Sequence, residues 1–289
     1  MGYISILPEI FISDIDIGAI AWNILFGVII AMVYIKGIIA LMEKLVDSGN
    51  LSSDLSRKII HISAGSFIWI WLFMNTSNAG FFSYMLNITV PFLFFLTFLS
   101  KGMKGSPDDP DVKTMTRTGD PRELMKGPLY FTIVMMVAGT ALYGSYAGMF
   151  MMAIVGWGDG IAPYIGMRWG KRTYKTLGRE KTLEGSIGFL LFSIVGCLIF
   201  YILLGVIGGI DFGTNSIILA DPGDNVDITV IVIVMVILSV VAMIIEALSP
   251  SDLDNLLIPA STLITLLIID IVLGNPLNGF LQLFPDLSL

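Results

Sequence analysis

The chain has 289 residues, of which 55% are hydrophobic and only 13% are charged. About a quarter of the residues of a soluble globular domain are charged, so the composition excludes an ordinary soluble protein and predicts an integral membrane protein. The net charge of −7 says little by itself, because the distribution of charge along the chain matters more. The single cysteine, Cys197, excludes an internal disulfide and a cysteine-based metal site.

Long apolar runs predict an all-α fold with about eight membrane-spanning helices, since about 20 residues cross the hydrocarbon core of a bilayer. All of them are assigned to one transmembrane domain over residues 1–289. The predicted helices cover residues 17–42, 59–75, 79–100, 127–144, 145–167, 184–209, 228–248 and 255–274.

The basic residues indicate how these helices are oriented. All 16 lysines and arginines lie in or beside three connections, at about 43–58, 101–126 and 168–183. With eight helices these connections fall on one side of the membrane, together with a short loop at about 249–254. The positive-inside rule makes that side cytoplasmic. The acidic loop at about 210–227 and both termini are then outside, and the predicted location is the cytoplasmic (cell) membrane.

The segment from Gly156 to Ser186 interrupts an apolar run with Asp159, which stands between two glycines, and continues into a loop rich in lysine and arginine. An ionisable residue in a membrane span is costly and indicates a functional site. Counted from Ser145, Asp159 lies about 21 Å along its helix, in the cytoplasmic part of the span. Counted from Ile228, Glu246 lies about 27 Å along the seventh helix.

Polar residues at the ends of three other helices are predicted to lie at the same depth, on the basic side. Each one alone has an ordinary structural explanation: Asp254 can cap its helix, Glu246 can extend toward the membrane surface, and His61 can anchor an interface. Their convergence on one level favours a functional site. The residues concerned are Arg57, Lys58 and His61 on the second helix, Lys181, Glu184 and Ser186 on the sixth, and Asp254 and Asn255 on the eighth.

This set of residues is typical of phosphoryl or nucleotidyl transfer. Carboxylates and phosphate oxygens are the ligands that Mg²⁺ prefers, basic side chains neutralise the remaining phosphate charge, and helix N-termini offer backbone N–H groups. The string from Gly166 to Thr173 misses the spacing of a P-loop, so the logic of soluble NTPases does not apply. Close helix packing is an alternative role for Gly156, Gly160, Gly166 and Gly170.

Four blocks of the sequence resemble the CTP-dependent polyprenol kinase family, which includes dolichol kinases and phytol kinases. They are RKIIH from Arg57, ELMKGPLYF from Glu123, GDGIAPYIGMRWGK through KTLEGS from Gly158 to Ser186, and EALSPSDLDNLLIP from Glu246. The blocks occur in the family's order and cover the chain from the second helix onward. Phosphatidate cytidylyltransferases share the third block in looser form. Their second signature, with a PGHGG string, is absent here, which favours a kinase.

The resemblance implies that the hydroxyl of a lipid alcohol attacks the γ-phosphate of CTP at the cytoplasmic face, with Mg²⁺ as cofactor. It assigns the metal to Asp159, with Glu246 or Asp254 as a second carboxylate. A general base, where one is needed, is His61, Asp254 or Glu184. The nucleotide-binding residues that it implies are Arg57, Lys58, Lys126, Gly158, Gly160, Gly166, Gly170, Lys171, Arg172, Lys181, Thr182, Ser186 and Asn255.

Two alternative functions stay open. A cytidylyltransferase would direct the attack at the α-phosphate of CTP and release pyrophosphate, which gives a CDP-lipid. An ion-coupled transporter would use Asp159 and Glu246 as coupling acids, although transporter sites lie near the membrane midplane and this polar set lies toward one side. The sequence does not distinguish a polyprenol from phytol, geranylgeraniol or a related lipid alcohol. It predicts no nucleic-acid partner and does not indicate an oligomeric state.

Overall fold

The computed structural model describes residues 17–74, 80–177, 180–208, 228–250 and 253–272. This part of the chain consists of eleven α-helices, several of them continued by π-helical or 3-10 turns, and one short β-ribbon. The predicted outer loop at 210–227 and both chain ends lie outside the described residues.

The first half of the chain forms five helices. They are α1 (Ile17–Ile24), continued through a π-helical turn (Leu25–Ile30) into α2 (Ala31–Asp47); α3 (Ser53–Gly65), continued by a 3-10 turn (Ser66–Phe73); α4 (Gly80–Lys104); and α5 (Pro110–Met115), followed by a 3-10 turn (Pro121–Met125).

The second half forms six helices and the β-ribbon. The helices are α6 (Gly127–Gly139); α7 (Tyr146–Ala153), continued through a π-helical turn (Ile154–Asp159) into α8 (Gly160–Trp169); α9 (Leu183–Phe200), continued by a π-helical turn (Tyr201–Ile207); α10 (Ile228–Leu248); and α11 (Asp254–Val272). Strands β1 (Thr173–Lys175) and β2 (Glu180–Thr182) pair antiparallel, with Tyr174 opposite Lys181.

Helical segments occur at all eight predicted positions, and the chain is mostly helical. Within the described residues, four segments are long and apolar enough to cross a membrane: Ile17–Asp47, Leu86–Lys104, Leu183–Ile207 and Ile228–Leu248. Outer faces expose large apolar side chains such as Val33 and Leu191, as a lipid-facing surface does. These features support a membrane protein. Eight spans and their orientation stay a prediction, and the β-ribbon and α5 were not predicted.

The centre of the bundle is α7 with the π-helical turn that follows it. Every residue from Tyr146 to Gly156 is buried, because α3, α6, α9 and α11 pack around this segment. A Cβ atom added at Gly65 would lie 2.3 Å from the Cα atom of Gly156, so only glycine permits this approach. The contact holds α3 against the turn that ends at Asp159.

Candidate active site

A cavity of about 730 Å³ lies between α3, α4, α6 and α8, beside the first residues of α11. Pockets of this volume hold small organic ligands. One part of its wall is charged and the other part is apolar. The predicted site residues that line it are Arg57, Lys58, His61, Lys126, Asp159, Gly166, Lys181, Thr182, Ser186, Glu246, Asp254 and Asn255.

Asp159 ends the π-helical turn of the central helix and is only 8% exposed. Such turns are frequent at functional sites, where the irregular backbone redirects a side chain. His61 faces it from α3, with Nε2 at 3.0 Å from the carbonyl oxygen of Val155 and 3.5 Å from Oδ2 of Asp159. Because a carbonyl oxygen only accepts, this geometry places a proton on Nε2. The contact ties His61 to the turn that ends at Asp159, and its role as a general base stays a prediction.

Two further side chains of α3 bring positive charge into the cavity. Arg57 donates from Nη2 to Oδ1 of Asp54 at 3.0 Å, while its buried Nη1 has no hydrogen-bond partner among the described residues. Burial and the nearby Arg117 guanidinium lower the pKa of Arg57. Lys58 interacts electrostatically with Asp159. A buried donor without a partner costs about 1–3 kcal/mol, so this end of the cavity is suited to an anion.

The sequence prediction did not include Arg117 and Glu123, which line the cavity from the connection between α5 and α6. Oε2 of Glu123 accepts the backbone N–H of Arg117 at 2.5 Å, and Oε1 accepts the Thr118 hydroxyl at 2.7 Å. Glu123 therefore holds the loop that brings Arg117 near Arg57. The sequence did hold a signal for Glu123, which is the first residue of a block that resembles the family. It held none for Arg117, because nothing in the sequence shows that this loop residue lies near Arg57 on α3.

Lys181 and Glu246 form an ion pair in the same cavity, with 2.7 Å between Nζ and Oε1. Lys181 also donates to the backbone carbonyl of Glu246. Nearby, the Thr176 hydroxyl donates to the carbonyl of Ala247 at 2.5 Å. These bonds attach the β-ribbon to the end of α10. They also give Glu246 a cationic partner, and its role as a second metal ligand stays a prediction.

The remaining predicted residues lie outside the cavity wall: Gly158, Gly160, Gly170, Lys171, Arg172 and Glu184. Oε2 of Glu184 accepts the backbone N–H groups of Lys171 at 3.1 Å and Arg172 at 3.3 Å. Glu184 thus shapes the turn into β1, and the two basic side chains are exposed. A Cβ atom at Gly158 would lie 2.1 Å from Oγ of Ser193, so close helix packing explains this glycine. A catalytic role for Glu184 and a nucleotide-binding role for the other five residues stay predictions.

The carboxylates of the cavity fit a Mg²⁺ ion only together with a ligand that supplies oxygens. Within the described residues, no group of three or more His, Cys, Asp or Glu side chains is arranged to hold a metal ion. Asp159 and Asp254 are close enough to interact electrostatically. Since Mg²⁺ is often bound by one or two carboxylates plus substrate phosphates, the cavity suits an ion that arrives with a nucleotide.

Comparisons with known proteins confirm the resemblance seen in the sequence. The model of the cytidylyltransferase family matches residues 10–251. A probable phytol kinase 1 of Glycine max is 33% identical over 169 residues, which cover 56% of this chain and 54% of that protein. Phytol kinase 1 of Arabidopsis thaliana is 29% identical over 197 residues, which cover 65% of this chain and 63% of that protein.

A farnesol kinase of Arabidopsis thaliana is 32% identical over 145 residues, which cover 48% of this chain and 45% of that protein. The chain thus spans between 45% and 63% of the length of these three relatives. All three are named as chloroplastic, which gives no support to the predicted cell membrane. No solved structure is significantly similar to this chain.

Proposed function

We propose that this chain, which belongs to the cytidylyltransferase family, is a kinase that transfers the γ-phosphate of CTP to the hydroxyl of an isoprenoid alcohol. The observation that carries the proposal is a single cavity in which cations and carboxylates continue into an apolar wall between α2, α4 and α6. A phosphate donor and a lipid alcohol can therefore meet there. The names of the relatives, phytol kinase and farnesol kinase, support the same class of substrate.

In the proposed reaction, the hydroxyl oxygen of the alcohol forms a bond to the γ-phosphorus. The bond from that phosphorus to the β–γ bridging oxygen breaks, and CDP leaves. Arg57, Lys58 and Arg117 bind the phosphates. Asp159 would hold Mg²⁺, which would neutralise charge on the phosphate oxygens. In such reactions the protein contributes mainly positioning and electrostatic stabilisation.

We assign the acceptance of the hydroxyl proton to Asp254. Of the other carboxylates that line the cavity, Glu123 holds the Arg117 loop, Glu180 is exposed on β2, Glu246 is paired with Lys181, and Asp159 is assigned to the metal. The Nε2 atom of His61 lies 3.0 Å from the carbonyl oxygen of Val155, so in this arrangement that nitrogen is used to donate to the backbone. Asp254 lines the cavity at the start of α11 and is close to Asp159, so it can face a hydroxyl that approaches a phosphate bound beside Asp159.

The orientation in the membrane is part of the proposal. Each of the three basic connections contributes side chains to the charged wall of the cavity: Arg57 and Lys58, Arg117 and Lys126, and Lys181. Basic loops stay on the cytoplasmic side of a membrane. The charged wall then faces the side on which CTP is available.

A product-resolved assay tests the donor and the reaction together. Purified protein is incubated with phytol, Mg²⁺ and CTP labelled at the γ-phosphorus, and lipids and nucleotides are separated. The kinase predicts labelled phytyl phosphate and an equal amount of CDP. The family's description as cytidylyltransferases makes nucleotidyl transfer the second candidate. Pyrophosphate and a CDP-lipid, formed when phosphatidic acid replaces phytol, would contradict the kinase and support that alternative. ATP and UTP in parallel reactions test the preference for cytosine.

A further inference from the structure

The apolar part of the cavity takes no part in the phosphate chemistry proposed above. Ile35 and Ile39 line it from α2, Val90 and Phe94 from α4, and Met135 from α6. Val90 is fully buried, and Met135 nearly so. We call this part of the cavity the apolar arm. It joins the charged wall without interruption, so a molecule with a polar head and an apolar tail can occupy both.

The apolar arm is short. Along α4 its lining residues extend from Phe98 to Val90, eight residues or about 12 Å at the rise of an α-helix. Along α6 they extend from Pro128 to Met135, seven residues or about 10 Å on the same geometry. Both helices therefore give the arm a similar depth.

Close contacts of α4 with two neighbouring helices lie directly beyond Val90. A Cβ atom added at Gly139, on α6, would lie 3.2 Å from Cβ of Asn87. A Cβ atom added at Gly27, in the first π-helical turn, would lie 3.8 Å from the backbone carbonyl carbon of Leu86. Gly139 lets α6 approach α4 closely one turn past Val90, and the segment around Gly27 packs on the same turn of α4 at ordinary van der Waals distance. We take these contacts as the floor of the arm.

We propose that the apolar arm binds the tail of one short isoprenoid alcohol, and that its floor limits the length of the tail. This inference rests on the proposed kinase function and adds the part of the chain that selects the substrate. The arm is long enough for most of a farnesol chain, and phytol can occupy it when its flexible, largely saturated tail folds back on itself. A long polyprenol cannot be contained in it, because the contacts of α4 with Gly27 and Gly139 block its path. Val90, directly above the floor, is a specificity-determining residue.

The test measures kcat/KM for farnesol, phytol and a long polyprenol. One methylene in an apolar pocket changes discrimination by about 10- to 200-fold, so wild type is expected to prefer phytol over the polyprenol by at least about 100-fold. Val90→Phe is expected to lower the ratio of phytol to farnesol about tenfold, and Val90→Ala to raise it. Leu96→Phe is the matched control, because Leu96 lies on the same helix and is 44% exposed; its ratio is expected to equal that of wild type.

Turnover of the polyprenol at the rate of phytol would overturn the inference, as would a wild-type ratio in both Val90 variants. When Val90→Phe does not fold, Val90→Ala and the alcohol panel give the answer. Mass spectrometry of phytol retained by the purified protein separates this inference from the proposed function. Suppose that the wild-type protein retains phytol, that Val90→Phe abolishes this retention, and that no alcohol is phosphorylated. This result would contradict the kinase function but would still support the apolar arm as the binding site of the tail.

Discussion

Two pairs of basic residues carry equal charge and are placed very differently. Arg57 and Lys58 lie on α3 and line the cavity, and Lys58 is only 8% exposed. Lys171 and Arg172 lie closer to Asp159 along the chain, yet both are exposed in the turn before β1 and outside the cavity wall. A basic residue therefore comes close to the buried Asp159 when it lies on the packed face of α3, and not because it is near Asp159 in the sequence.

The physical difference between the pairs is desolvation. Burying a cation is costly unless opposite charges or a bound anion compensate for it. Lys58 has the Asp159 carboxylate nearby, whereas Arg57 has Asp54 on one nitrogen and a buried second nitrogen without a partner among the described residues. A phosphate would supply that partner. The exposed pair stays hydrated and gains little from one more anion.

The largest loss of activity is expected from a change at Asp159, the carboxylate next to the buried cations. Asp159→Asn is expected to lower kcat at least about a thousandfold, because metal-held charge stabilisation is worth several kcal/mol. Phosphorylated alcohol formed at saturating CTP measures this loss. Asp111→Asn is the matched control, since Asp111 pairs with Lys101 at 2.5 Å outside the cavity wall. A folded Asp159→Asn variant with wild-type turnover would rule Asp159 out as the metal ligand.

The ion pair between Lys181 and Glu246 allows structural and chemical roles to be separated. Glu246→Ala leaves a buried lysine uncompensated and is expected to destabilise the protein by about 3–5 kcal/mol, seen as a lower Tm. The double variant Glu246→Leu with Lys181→Met is expected to recover the Tm, because an apolar pair often replaces a buried ion pair without loss. It should keep kcat/KM for CTP within about tenfold of wild type. A stable double variant without activity would show instead that Lys181 or Glu246 takes part in the reaction, and the single variant Lys181→Met would tell which.

A smaller effect is expected at the exposed turn before β1. Glu184→Gln keeps the shape of the side chain that accepts from the backbone of Lys171 and Arg172 but removes its charge. Because the site is open to water, kcat/KM for CTP should fall no more than about fivefold. If steady-state kinetics showed that kcat/KM for CTP falls by several orders of magnitude, Glu184 would be a catalytic residue, as the family resemblance implied.

The sequence predicted the helices well because length and apolarity determine them. All eight predicted positions contain helix, although the outer loop at 210–227 lies outside the described residues. The π-helical turn Ile154–Asp159 could not be predicted, since one extra residue in a helical turn leaves no trace in composition. Strands β1 and β2 were missed because three residues each are too few to show alternation.

The candidate site was predictable where residues lie at helix ends. Asp159 and Glu246 could be placed in depth because helical rise converts sequence position into depth, and Arg57 and Asp254 because they lie where helices begin; all four line the cavity. Arg117 was not predicted as a site residue, because its position depends on the conformation of the loop that Glu123 holds. Depth alone also does not tell which face of a helix a residue occupies, so glycines that serve helix packing were grouped with those that line the cavity.

The most direct test of the account compares Arg57→Gln with Arg172→Gln in one kinetic series for CTP. Loss of a hydrogen bond between charged groups is worth about 1.5–3 kcal/mol, so Arg57→Gln is expected to lower kcat/KM for CTP by about 10- to 150-fold. Arg172→Gln should stay within about threefold of wild type. A large loss in Arg172→Gln beside a fully active Arg57→Gln would place the nucleotide at the β-ribbon and contradict the site proposed in the cavity.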